Sequence, residues 1–228
     1  MPPNLEESES TYCFYVLWPL LRITVKFMDT PNDIKMNFKV GETQLLAAPP
    51  GIDYQRYLAD ATACLEAQGI ELLLMEASGA FNNNNLSKHV HDHVKGAFGC
   101  CSMLNAILKK YEYADEKFVK NLSVVFLHAS GKGNTHLENF ISHTLIYLPI
   151  GFILDSDKCL RVWVMRPFLV GKHLSFERVL KCEIDPNPME MGPILGTMKF
   201  FWKLKVKWSI SPIPIIFWCA RSYCGFFH

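Results

Sequence analysis

Three features of this 228-residue chain predict an α/β domain. Two apolar runs, 56–65 and 70–78, flank Glu66-Ala67-Gln68-Gly69, the pattern of a β-hairpin. Apolar residues then recur at three- and four-residue steps from Val90 to Tyr111, the stripe of a helix laid on a core. A short, mainly apolar run from Leu122 to Ala129 follows, as expected of a buried strand. Strand, strand, helix and strand in that order make a hairpin followed by a crossover helix.

Composition narrows the class without naming a function. With 23 basic and 22 acidic residues the formal net charge is +1, and half the residues are apolar. These values exclude a disordered chain, a collagen-like repeat and a charged tail. A chain of this length buries roughly 70% of its unfolded surface, so it holds a core without disulfide or metal staples. Attraction to nucleic acid or to an anionic membrane must come from local patches, since the whole molecule is nearly neutral. The eight cysteines are irregularly spaced and sit in apolar elements, which reads as reduced thiols and an intracellular setting, cytoplasmic or nuclear. The opening MPPNLEESES is acidic where a secretory signal is basic. The apolar runs 13–21 and 210–220 are short, the second broken by Pro212 and Pro214, against the ~20 residues a spanning helix needs. No membrane partner is expected. The sequence sets no oligomeric state.

In chain order, residues 1–11 read as a flexible leader and 12–28, dense in β-branched and aromatic residues, as strands interrupted by Pro19. The clusters TPND and VGET within 30–50 predict a short hairpin or an irregular connection. In the main hairpin, a three-residue loop Ala67–Gly69 puts Gly69 in the left-handed position and Glu66 opposite Ile70. Paired residue numbers then sum to 136, so Asp60 lies across from Glu76 with Cβ atoms about 5 Å apart. A two- or four-residue loop shifts that sum to 135 and separates the acids. After the polar loop 81–85, the helix covers 87–111, with Ser87 as N-cap and Val90, Val94, Phe98, Cys101, Leu104, Leu108 and Tyr111 facing the core. Residues 136–148 fit either helix or strand. A strand pair is expected over 159–168 and 174–184, a loop over 185–193 and a closing helix over 194–205. The organisation is thus a leader, a single domain over 12–205 with its core in 54–131, and a tail over 206–228 with no assigned order.

The sharpest constellation is Asp60, Glu76 and Ser78 on one face of the hairpin. Two carboxylates in apolar strands repel unless they share a proton or a cation. A hard cation such as Mg²⁺ resolves that conflict. So does pairing with Arg56, Lys88 or Lys95, or a solvated strand face.

The order Asp60-x15-Glu76-x-Ser78 on a hairpin, followed by a helix and a strand, resembles the PD-(D/E)XK nuclease superfamily. The resemblance implies a restriction-endonuclease-like mixed sheet flanked by helices. In that family two strand acids bind Mg²⁺ (or Mn²⁺) and a lysine two residues after the second acid polarises the attacking water. Asp60 matches the first acid and Glu76 the second, whereas Ser78 stands where the lysine belongs. Some members supply the lysine from the following helix, and Lys95 in DHVKG is then its counterpart; Lys95, or His91 one turn earlier, would sit near the scissile phosphate. The strings RYLADA, ELLLMEASGAF, DHVKGAFGCCSML and VVFLHASG also resemble a large group of fungal proteins over 56–131, a group with no activity to transfer. What the superfamily implies is metal-dependent phosphodiester hydrolysis of DNA. The alternative is a non-catalytic relative that keeps the fold as a nucleic-acid-binding or protein-interaction module.

Other clusters carry less. On a helix His89 and His93 share a face while His91 points away, so KHVHDH does not converge on zinc. Cys219, Cys224 and His228 offer three ligands and lack a fourth. SGKGNT follows a strand without the spacing of a phosphate loop. Cys100 or Cys101 with His128 reads as core packing before a thiol–histidine pair. Lys199, Lys203, Lys205 and Lys207 alternate with Phe200, Phe201, Trp202 and Trp208. They form a basic patch able to contact phosphates and stack on bases, or an amphipathic helix with solvated lysines.

Overall fold

A computed structural model of the chain describes residues 4–27, 35–48, 57–80, 85–119, 121–130, 159–168, 173–183 and 191–210. The expected strands at 12–28 are helical instead. α1 (Glu9–Tyr12), a π-helical stretch (Cys13–Leu17) and α2 (Trp18–Lys26) follow one another without a break. Ser8 caps the start, its Oγ accepting from the Thr11 N–H at 3.0 Å. Cys13, Leu17, Leu21 and Val25, four residues apart, are buried together with Tyr12 and Thr24, a helical period masked by the aromatic residues between them. Pro19 removes one rung of the ladder, and the wider π turn before it accommodates the ring. The leader is corrected with it, since residues 9–11 belong to this helix.

Six strands form one mixed sheet in the order β1 to β6. They are β1 (Met36–Gln44), β2 (Leu58–Leu65), β3 (Ile70–Ser78), β4 (Val124–Ser130), β5 (Cys159–Phe168) and β6 (His173–Glu183). All neighbours pair antiparallel except β3 and β4, which are parallel and joined across α3 (Leu86–Lys110). VGET is no turn: it lies within β1, where the register slips between Val40 and Thr43 and Gly41 takes φ 71°.

The hairpin loop holds four residues, Glu66 to Gly69, because Leu65 pairs with Ile70. Gly69 has the expected positive φ, 60°. Leu72 is then an extra residue on β3, and beyond this bulge Ala63 pairs with Leu73 and Ala61 with Met75, the expected sum of 136. The bulge thus restores what the longer loop had shifted.

α3 starts one residue earlier than expected and is capped by Asn85, not Ser87, whose side chain accepts from the Lys88 N–H at 3.0 Å. Its buried face overlaps the expected stripe at Leu104 and Tyr111 and is turned from it elsewhere. Phe98 is exposed, whereas His93, Gly96, Gly99, Cys100, Met103 and Ile107 are buried. Small residues set the packing distance. A Cβ on Gly96 would lie 2.2 Å from the Phe126 ring and one on Gly99 2.5 Å from Leu74.

Every position of β3 and β4 is buried, so both faces of the sheet centre are covered. α3 packs on β3, β4 and β5. α2 packs on β1, and α5 (Met191–Ile210) on β6 and on α2, burying Phe200, Phe201 and Leu204. α5 extends beyond the expected 194–205 at both ends. One further short helix, α4 (Glu116–Val119), precedes β4. Cys13, Cys64, Cys100, Cys101, Cys159 and Cys182 are free thiols. Among the described residues no helix is long and apolar enough to cross a membrane. The expectations for 133–157 and 211–228, including Cys219, Cys224 and His228, lie outside the described residues.

Candidate functional site

The acids meet where β2 and β3 stop pairing. Ala61 with Met75 is the last ladder pair, and one residue further Asp60 turns its carboxylate onto the Ala77 N–H at 2.6 Å. Glu76 is 2% exposed; its Oε2 accepts from Lys95 Nζ at 2.8 Å, and its Oε1 has no hydrogen-bond partner. Burial pushes the Glu76 carboxyl up to about 8, with Lys95 pulling it down and Asp60 and Asp92 adding to the rise. Burial likewise raises Asp60 to about 6, against the Ala77 hydrogen bond that favours its charged form.

Two further carboxylates belong to the cluster. Asp92 on α3 is buried, which raises its pKa, while Lys88 and a hydrogen bond from Ser78 oppose the rise. Glu9, from the first turn of α1, accepts both from the Gly79 N–H and from Lys88 Nζ. Lys88 also lies 3.9 Å from Asp92 Oδ2 and 3.4 Å from the Ala77 carbonyl. Fully ionised, four carboxylates facing two ammonium groups leave the cluster at −2. The sequence signalled Asp92 only through its i,i+4 spacing from Lys88; Glu9 fell in the supposed leader and gave no signal.

Lys95 is held from three sides. Its ammonium pairs with Glu76 and lies 5.2 Å from the centroid of the Tyr57 ring, whose hydroxyl donates to the Lys95 carbonyl at 2.8 Å. A Cβ on Gly99 would fall 2.6 Å from that hydroxyl, so the glycine admits Tyr57 to the helix backbone.

Ser78 turns toward histidines. Its Oγ is 2.7 Å from His128 Nε2, and the fully buried His128 stacks on His89 with centroids 4.5 Å apart. His93 lies 5.5 Å from His128 and 4.7 Å from Trp163. Burial lowers His89 to about 4 and His93 to about 3, and drives His128 well below the usual imidazole range, with Arg161 adding to each shift. These rings are neutral and pack as aromatics. Among the described residues no three His, Cys, Asp or Glu side chains are arranged to cage a metal. Any cation at the acids would therefore rest on one or two carboxylates and keep its water, as Mg²⁺ commonly does.

The fold thus gathers Asp60, Glu76, Ser78 and Lys95 at one place. His91 is exposed on the far side of α3 from His93. Lys199 and Lys203 are exposed and Lys205 half-buried on α5, the last 5.0 Å from the Trp202 ring centroid, outside the acid cluster. Cys101 faces Met165 with sulfurs 3.5 Å apart and makes no pair with His128. Comparison with family models, curated proteins and solved structures finds no match to this chain.

Proposed function

We propose that the chain is a divalent-cation-dependent nuclease of the PD-(D/E)XK-like type, hydrolysing phosphodiester bonds in DNA with Mg²⁺ or Mn²⁺. The observation that carries it is the unbalanced cluster: four carboxylates against two lysines, with a buried Glu76 oxygen that nothing accepts from or donates to. A proton or a cation must compensate such a group. The donor set fits a hard cation, with Asp60 and Glu76 as the residues that would hold it. When bound, the cation supplies a hydroxide at neutral pH and offsets charge developing on the phosphoryl oxygens. Lys95, positioned by Glu76 and Tyr57, takes the role of the lysine absent at 78 and presents its ammonium to the phosphate. Asp60 on β2, Glu76 on β3 and the crossover to a parallel β4 are in the order the resemblance implies. Six free thiols among the described residues fit a reducing compartment, cytoplasm or nucleus.

The second reading is a non-catalytic relative that binds nucleic acid or protein. It is favoured by Ser78, whose hydroxyl is committed to His128 and Asp92. Cleavage of supercoiled plasmid and single-stranded DNA in Mg²⁺, Mn²⁺ or EDTA, beside Asp60→Ala and Glu76→Ala, separates the two. Metal-dependent cutting absent from both variants is the expected outcome. A well-folded wild type that cuts neither substrate rejects the nuclease in favour of the second reading.

A further inference from the structure

A single oxygen of Glu9 receives two donors of different kinds. The Gly79 N–H and the Lys88 ammonium both reach Oε2, the arrangement proteins use for a non-bridging phosphate oxygen. Gly79 follows the end of β3 and holds φ 100°, a backbone conformation that glycine adopts without strain. Lys88 lies in the first turn of α3 and also reaches the carbonyl of Ala77, whose N–H holds Asp60. The two donors therefore adjoin the acids. Glu9 and Lys88 keep 27% and 37% of their side-chain surface in solvent, so their pairing holds the carboxylate loosely.

We propose that the Gly79 amide and the Lys88 ammonium form a subsite for one oxygen of a DNA phosphate, and that Glu9 fills it until substrate displaces the carboxylate. This rests on the nuclease reading for the identity of the anion. Charge makes the exchange specific. With a divalent cation bound, the fully ionised cluster is neutral and offers a phosphodiester no net attraction. With Glu9 withdrawn it carries +1, the complement of one phosphodiester. Glu9 thus acts as an internal competitor, and the helix that carries it is coupled to occupancy of the site.

The test is binding of a short fluorescent duplex by anisotropy in Ca²⁺ and in EDTA across a salt series. Folding is checked by circular dichroism and thermal melting. Glu9→Gln is expected to bind the duplex roughly five-fold tighter in Ca²⁺, with the salt slope steeper by about one phosphate contact. Lys88→Met added to Glu9→Gln removes that gain. Glu9→Asp keeps the charge and shortens its reach, and shows a smaller gain in the same direction should the glutamine variant fold poorly. Unchanged or weaker binding by folded variants overturns the subsite, as does a gain that survives Lys88→Met. Wild-type cleavage without tighter binding by Glu9→Gln rejects the subsite and leaves the nuclease standing. Tighter, Lys88-dependent binding with no cleavage by any form does the reverse.

Discussion

Lys95 and Glu76 show how much one pair of side chains decides. Lys95→Ala leaves Glu76 buried without its cation, so at least a hundred-fold loss of DNA cleavage is expected in a gel assay. Lower stability above pH 7 should accompany it. In the metal-free protein the sign for Glu76 follows from its raised pKa. Its stabilising contribution is complete below the ordinary carboxylate range near 4.5 and is lost as pH rises toward about 8. Glu76→Gln should therefore flatten the decline in melting temperature between pH 5 and 8, and Mg²⁺ should raise the melting temperature of wild type but not of this variant. At this scale the sequence was legible where chemistry sits on regular elements. Asp60, Glu76 and Lys95 could be found from strand register and helix position. Glu9 and Asp92 could not, because ordinary acidic residues become informative only when the fold surrounds them with other charges.

At the scale of elements, two errors have physical causes. The N-terminal helix was hidden because Phe, Tyr, Val, Ile and Thr suit strands locally, whereas the four-residue recurrence of buried positions decides the outcome in the folded chain. The face of α3 was misjudged in its first half because glycines and a histidine pack there ahead of Met103, Leu104 and Ile107, and such residues carry no apolar signal in the sequence. The close approach has a measurable counterpart. Gly96→Ala forces a methyl group into the Phe126 ring, at an expected loss of about 1–3 kcal/mol in urea unfolding. Phe126→Leu in the same chain should recover part of it. The expected register is reached at Ala61 with Met75 for an incomplete reason, since the loop has one residue more than expected and the Leu72 bulge compensates. Bulges have no reliable sequence signature, so register beyond a turn is legible only when none intervenes.

For the whole molecule, the buried histidines set the response to acid. His89, His93 and His128 are neutral in the fold and have lowered pKa values, whereas unfolded imidazoles take up protons near 6.5. Below that pH the unfolded state binds more protons, so their contribution to stability is complete above about 6.5 and is lost as pH falls toward 4 and below. Glu76 acts in the opposite direction over part of this range, so the comparison is between proteins. In urea unfolding at pH 7, 6, 5 and 4, the midpoint of His89→Phe should rise relative to that of wild type as pH falls. Cluster and sheet together explain why the architecture was legible only to the level of an α/β class. The strand–strand–helix–strand core and the β5–β6 pair follow from local patterns. Which strands become neighbours follows from contacts between distant residues such as His93 with Trp163.

The single parallel junction in the sheet has a consequence for how the molecule is assembled. Strands β1–β3 and β4–β6 are each antiparallel meanders, and β3 and β4, which pair directly in parallel, are joined along the chain by the α3 crossover. Asp60 and Glu76 belong to the first meander, Lys95 and Asp92 to the crossover, and His128, which fixes Ser78, to the second. Neither half contains a complete set. A nascent chain halted before residue 124 has the acids and the lysine but not the strand that seats α3 against them. The full set of side chains at this centre therefore comes together only when the last long-range contacts close.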